Sequence, residues 1–177
     1  MSISVRRATP DDVAELHDVA AQTFALACPP GTLQSDVDAF VALHLSPERF
    51  ADYLADDDRI LLLAEAHGKP VGYAMLVRGP ITDADVCKVV DAETSVELSK
   101  FYVLVDRHGS GVAAALMTAT LEAAAATGAQ TCWLGVNQLN VRAGRFYEKS
   151  GFTIAGTKRF LVGQEWHDDY ICTRSLP

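Results

Sequence analysis

What this chain lacks narrows what it can be. It has no uninterrupted apolar run approaching the ~20 residues of a membrane-spanning helix. Its opening residues, Met1-Ser2-Ile3-Ser4-Val5-Arg6-Arg7, have no apolar centre of the kind a secretory leader carries. A cytoplasmic protein with no membrane partner is the expectation. Cys28, Cys87, Cys132 and Cys172 lie far apart without a Cys-x-x-Cys pair, and His17, His44, His67, His108 and His167 fall at no metal-ligand spacing. The cysteines are therefore expected to be lone buried thiols, and no metal is expected. Basic residues are scarce too, 15 against 23 acids, for a net charge of −8. Nucleic acid calls for a basic patch, so it is not an expected partner. Repeats, low-complexity tracts and linkers are also missing. With 177 residues, 49% of them hydrophobic, the chain suits one domain over 1–177 with its own core.

The most informative stretch is 97–116. An apolar strand-like run, Leu98-Ser99-Lys100-Phe101-Tyr102-Val103-Leu104, leads to a turn holding Gly109 and Gly111, and an alanine-rich helical pattern follows. Glycines in such a turn let backbone approach a ligand without an intervening Cβ. A helix N-terminus adds unpaired N–H groups and the positive end of the dipole. The combination suits a phosphate or diphosphate. Gly109-x-Gly111-x-x-Ala114 formally fits the dinucleotide fingerprint, but the following strand ends in Val136-Asn137-Gln138 without the ribose-binding acid. A nucleotide-hydrolysing loop would need Gly-Lys-Ser/Thr where this chain has Gly111-Val112-Ala113.

Around this centre the pattern is mixed α/β. Residues 4–7 read as a strand, and Thr9 with Pro10 as the capped start of a helix reaching about Ala27. Helical stretches follow at 35–45 and 50–54. A hairpin spans 60–77 around His67-Gly68-Lys69-Pro70. Residues 79–94 look like a loop, 110–127 a helix, 131–136 a strand and 141–150 a helix. Two last strands are anchored at 152–155 and 170–172. A sheet with helices on it and one β-α-β crossover is the predicted class.

Two stretches carry a more specific likeness. Phe101-Tyr102-Val103 followed by His108-Gly109-Ser110-Gly111-Val112-Ala113 resembles the coenzyme A motif of the GNAT N-acetyltransferases. Asn140-Val141-Arg142-Ala143-Gly144-Arg145-Phe146-Tyr147-Glu148-Lys149-Ser150-Gly151-Phe152 resembles that family's second signature, Asn-x-x-Ala-x-x-x-Tyr-x-x-x-Gly-Phe. The likeness covers nearly the whole chain, since the hairpin and the opening strand and helix stand as in that family. It implies a GNAT fold: a mixed central sheet of about six or seven strands, about four or five flanking helices, and an acetyl-CoA cleft between splayed strands. The chain departs from the family where His108 replaces the usual Arg or Gln, and where Val105 replaces the loop proline. The backbone is still expected to hold the phosphates, with weaker affinity and Arg107 as a substitute cation.

Roles follow from the resemblance. Backbone around Phe101, Tyr102 and Val103 would receive the pantetheine arm and polarise the thioester. Amides of Gly109, Ser110, Gly111, Val112 and Ala113 would hold the diphosphate. Asn140 would touch the cofactor, cap its helix, or both. Tyr147 stands at the family's general-acid position, and a phenol of pKa near 10 suits protonation of the leaving thiolate. Glu97 stands at the base position, with Asp91 and Glu93 in reserve. Simple alternation would put Glu97, Ser99, Phe101 and Val103 on one face of their strand, unless a bulge intervenes. Together these imply an acetyl-CoA-dependent N-acetyltransferase acting on a small-molecule amine. The run from Gly156 to Arg174, with Trp133-Leu134-Gly135-Val136, resembles the branch related to PaiA-type spermine/spermidine N-acetyltransferases. A polyamine is accordingly the leading acceptor, with Asp83, Asp85, Asp91 and Glu93 either lining a cationic pocket or standing in a solvated loop. Protein, peptide or amino-acid acceptors, a non-catalytic acyl-CoA sensor and a dinucleotide oxidoreductase are the alternatives. A homodimer through the last strands or the sheet edge is the partner expectation.

Overall fold

The computed structural model describes residues 2–104, 107 and 109–177. Seven strands form one sheet: β1 (Ile3–Arg7), β2 (Arg59–Ala66), β3 (Lys69–Val77), β4 (Ser95–Val103), β5 (Thr131–Asn137), β6 (Thr153–Val162) and β7 (Glu165–Ser175). Their order across the sheet is β1-β2-β3-β4-β5-β7-β6. Every neighbouring pair is antiparallel except β4 and β5. A parallel pair needs a long crossover, and α5 (Val112–Ala126) supplies it. The other helices are α1 (Val13–Ala27), α2 (Gln34–His44), α3 (Pro47–Ala55), α4 (Ala84–Cys87) and α6 (Val141–Lys149), with a 3-10 turn at Pro10–Asp12. The architecture is the mixed α/β fold the sequence predicted.

Both faces of the sheet are covered, and strand periodicity explains how. In β2, Leu61 and Leu63 belong to the cluster under α1–α3, while Leu62 and Ala64 between them belong to the cluster under α5. A strand buried on both sides reads as a continuous apolar run, which is why Ile60-Leu61-Leu62-Leu63-Ala64 has no polar member. Helix α5 packs with small residues, and its buried positions Val112, Leu116, Met117, Thr120 and Ala124 follow helical spacing. Thr120 satisfies its buried hydroxyl on the Leu116 carbonyl at 2.7 Å.

Three local expectations are corrected. Residues 79–94 contain α4, capped by the Asp83 carboxylate, and Val86 and Val90 pack there on Trp133 and Ile171. The closing hairpin is much longer than its apolar anchors suggested, because exposed polar positions alternate along β6 and β7. At the first helix start Thr9 is the cap, as expected, in a capping box with Asp12, whose carboxylate takes the Thr9 N–H at 2.8 Å and the Thr9 hydroxyl at 3.3 Å. Of the cysteines, Cys132 and Cys172 are buried, Cys28 is half-buried and Cys87 is exposed. No helix among the described residues is long and apolar enough to cross a membrane.

Candidate active site

The site arises where the one parallel pair comes apart. Among the described residues, β4 and β5 are paired only over Ser95–Glu97 and Thr131–Trp133. Beyond that both strands continue, β4 to Val103 and β5 to Asn137, with a gap between them. Meanwhile β4 stays paired with β3 as far as Val103 opposite Gly72. Glycine is required there: a Cβ on residue 72 would sit 2.9 Å from the Tyr102 carbonyl oxygen. The splayed strands leave a cleft of about 540 Å³ running from Gly109 and Ala113 past Tyr147 to Glu97.

A bulge sets which β4 side chains enter it. Leu76 faces Leu98 and Met75 faces Lys100, so Ser99 is the extra residue. The single-face set of Glu97, Ser99, Phe101 and Val103 is therefore wrong. Leu98, Phe101 and Val103 pack toward α5, and Tyr102 packs with the opposite cluster, stacked on Tyr73 at 5.7 Å.

Glu97 lies at the closed end of the cleft. Burial pushes its carboxyl above the ordinary carboxylate range, opposed by the charges of Lys158, Lys100 and Arg59. It also borders a second cavity of about 180 Å³ shared with Asp83, Ser95, Trp133 and Lys158. Tyr147, from α6, stands in an aromatic cage: edge-on to Phe101 at 6.2 Å and to Phe152 at 6.0 Å, and tilted against Phe146 at 5.7 Å. Burial holds its phenol well above its usual value, so it keeps its proton at neutral pH. Asn140 caps α6 by accepting the Ala143 N–H at 3.2 Å and also lines the cleft, so the capping role is in place beside the opening.

At the other end, Gly109 (φ +80°) and Gly111 (φ +90°) hold left-handed backbone that favours glycine. Gly111 is the cap of α5, and Ala115 N–H is the first to bond back to it, at 3.0 Å. The amides of Val112 and Ala113 thus have no acceptor within their own helix. Ser110 differs: its N–H donates to the Arg107 carbonyl at 3.2 Å and its hydroxyl bonds the same oxygen, so it shapes the turn. Among the described residues, a Cβ on Gly109 would meet nothing within 4 Å. His108 and Val105 lie outside the described residues.

Several cleft residues were not anticipated. Lys100 lines it, and burial lowers its ammonium to about 8, against the pull of Glu97. Lys158, His167 and Asp169 come from the closing hairpin. The Asp169 carboxyl is pushed up to about 6 by burial, with Lys158 and His167 opposing. An unexplained glycine inside a strand, Gly135, was the available clue. A Cβ there would lie 2.7 Å from Lys158 Cε, so its absence lets Lys158 reach from β6 across to β5. Of the loop acids, only Asp83 approaches the site, 3.9 Å from Lys158 Nζ. Asp85 pairs with Lys88 at 3.1 Å, and Asp91 accepts the Glu93 N–H at 2.9 Å. Neither Asp91 nor Glu93 is among the described residues lining the cleft, which removes both reserve bases. No three His, Cys, Asp or Glu side chains converge on a metal position among the described residues.

A parted strand pair, a glycine turn at a helix start and a phenol on the cleft wall are the arrangement expected of an acyltransferase. Residues 26–152 match the family model for the Acetyltransferase (GNAT) family, and the chain belongs to that family. It is an acetyl-CoA-dependent N-acetyltransferase by class. It is 48% identical over 165 residues, 93% of this chain and 98% of the other, to an uncharacterized N-acetyltransferase of Mycobacterium tuberculosis. Among solved structures it resembles the PaiA N-acetyltransferase of Thermoplasma acidophilum in complex with coenzyme A (TM-score 0.79, 18% identity, 99% of each chain). It also resembles a putative acetyltransferase of Salmonella typhimurium with its cofactor acetyl-CoA (TM-score 0.69, 19% identity, 100% of this chain and 95% of that one).

Proposed function

We propose that the protein moves the acetyl group of acetyl-CoA directly onto a primary amine while both are bound, with Glu97 as base and Tyr147 as acid. The observation that carries this reading is the gap beyond Glu97 and Trp133, with a buried carboxyl at its closed end and a protonated phenol on its wall. Acetyl-CoA supplies, when bound, an acetyl group activated on sulfur. The turn at Gly109–Ala113 holds the diphosphate on backbone amides, and Phe101, Tyr102 and Val103 border the pantetheine arm. Glu97 takes a proton from the incoming ammonium, for which its raised carboxyl is suited. The neutral nitrogen would form the amide bond as the carbon–sulfur bond breaks, and Tyr147 would give its proton to the departing sulfur. The second nitrogen proton would be shed as the amide forms and would restore the phenol through solvent, and Glu97 would release its proton to solvent. Holding both reactants in one cleft supplies much of the rate.

Polyamine is the first acceptor class in this reading, following the C-terminal resemblance and the PaiA-type neighbour. A specific observation favours amino-acid or peptide amines as the second. Lys100, Arg142 and Lys158 share the cleft with Glu97 and Asp169, so three basic side chains stand against two carboxyl groups. Coenzyme A release measured over polyamines, amino acids and peptides tests both. Turnover with a polyamine supports the first reading, and turnover with amino acids or peptides alone replaces it with the second. Binding of coenzyme A without turnover on any amine would make the protein a sensor. Absence of any calorimetric heat with coenzyme A or acetyl-CoA, with uptake of a nicotinamide nucleotide instead, would overturn the whole assignment.

A further inference from the structure

Asp169 is the least explained charged group in the molecule. It is only 6% exposed, and its Oδ1 has no hydrogen-bond partner among the described residues. Buried carboxylate oxygens are normally partnered, because an unpaired one forfeits its hydration without return. The residue that faces it in register, Lys158, does not close the account: its Nζ lies 3.9 Å from Asp83, to which its side chain extends.

The strand pattern aims Asp169 at the cleft. Along β7, His167 and Asp169 line the cleft, while Asp168 between them is exposed. On one side Asp169 faces Asn137 of β5, the last residue of that strand's free arm. Its Oδ2 lies 3.4 Å from where a Cβ on residue 135 would be, and Lys158 fills that same space, with Cε 2.7 Å and Nζ 3.7 Å from the point. The unpartnered Oδ1 is therefore the atom left to meet a ligand. Its charge is felt at the Tyr102 phenol of β4, across the gap. His167 presents a second buried, unpartnered atom, Nε2, and lines the same cleft.

We propose that Asp169 is the contact for the acceptor's ammonium group: its unpartnered Oδ1 accepts a hydrogen bond from the charged nitrogen and holds it in the cleft for transfer. This rests on the acetyl-transfer reading and adds a recognition residue on β7 to the pair already assigned. An ammonium supplies the donors that Asp169 lacks, and charge-assisted bonds of this kind are the strong ones. The groups facing Asp169 are Lys158 from β6, His167 and Asp168 from β7 and Tyr102 from β4, with Glu97 and Lys100 further along the cleft. With its carboxyl at about 6, Asp169 is ionised above that pH and loses its charge below it. Acceptor capture therefore weakens as pH falls through about 6.

n-Butylamine serves as the minimal primary amine. In Asp169→Asn its KM should rise about tenfold or more while the KM for acetyl-CoA stays within about twofold. The acidic rise in acceptor KM should disappear with the carboxylate, and Asp169→Glu should recover part of the loss. Independently of turnover, the Asp169 carboxyl carbon, followed by NMR in coenzyme A-loaded wild type, should shift on titration with n-butylamine. An unmoved resonance, or an Asp169→Asn enzyme with wild-type acceptor KM, overturns the assignment. If wild type acetylates no amine, the acetyl-transfer reading falls, while the NMR titration still decides the fate of Asp169.

Discussion

The two neighbours of β4 are held in opposite ways. Toward β3 the ladder runs from Glu97 to Val103, and its glycine brings backbone so close that a methyl group would clash. Toward β5, among the described residues, it stops after three residues, and the arms beyond line a cavity. On the first side Met75, Leu63 and Leu61 are apolar and, with Tyr73, buried at 2% exposure or less. On the second side, Glu97, Lys100 and Asp169 are charged or titratable and desolvated. The closed side carries stability, and the open side gives it up to keep polar groups ready for a ligand.

That contrast is best sharpened by substitutions on each side. Leu63→Ala, on the closed side at 0% exposure, should cost about 3 kcal/mol in denaturant unfolding and leave per-molecule turnover of the folded enzyme near wild type. A loss of turnover without loss of stability would dissolve the distinction. On the open side, Glu97→Gln should lower kcat by about 100-fold at neutral pH while leaving the unfolding midpoint little changed. Because burial raises the Glu97 carboxyl, wild-type activity should climb with pH to a plateau starting above the usual carboxylate range; a profile already flat from pH 4.5 would deny Glu97 the role. Tyr147→Phe should reduce turnover by about tenfold or more with coenzyme A affinity preserved. Equal turnover in that variant leaves the phenol as packing.

The smallest effect lies at the sheet edge, where two Arg6 nitrogens donate to Asp12 at 2.8 Å each. Hydrogen bonds from Arg6 lower the Asp12 carboxyl to about 2. A lowered carboxyl adds stability above its unfolded value near 3.9, and that stability drains away as pH falls toward 2. Since the Arg6 side chain is 42% exposed and so screened, Asp12→Asn should cost only about 1 kcal/mol at pH 7. The difference from wild type should vanish in acid. A gap that persists at pH 2 would assign the effect to packing.

Much of this was legible beforehand, for identifiable reasons. The Leu61-to-Ala64 run, the Gly109/Gly111 turn and the alanine-rich α5 are local features whose periodicity or backbone demands show in any window of the chain. Asn140 and Tyr147 were found because their spacing repeats a family pattern along one helix. The cleft's other lining was hidden. Ser99 looks like an ordinary strand residue, yet as a bulge it reverses the facing of everything after it. Lys158 and Asp169 sit among exposed charges in a hairpin, and nothing local separates Asp169 from Asp168 beside it. The acids of 79–94 misled in the other direction, since Asp85 and Asp91 are spent on local bonds.

By itself, then, the order of residues determined most of the elements, the class of fold and the glycine turn at the start of α5, because those depend on near neighbours and on backbone freedom. Only the folded sheet decided that β5 parts from β4 after Trp133 and that β7 delivers Asp169 to the gap. It also decided that Glu97 and Lys100 lose enough water for burial to reset both groups. Desolvation and charge proximity depend on distances through space, which strands remote in sequence acquire only when they pack.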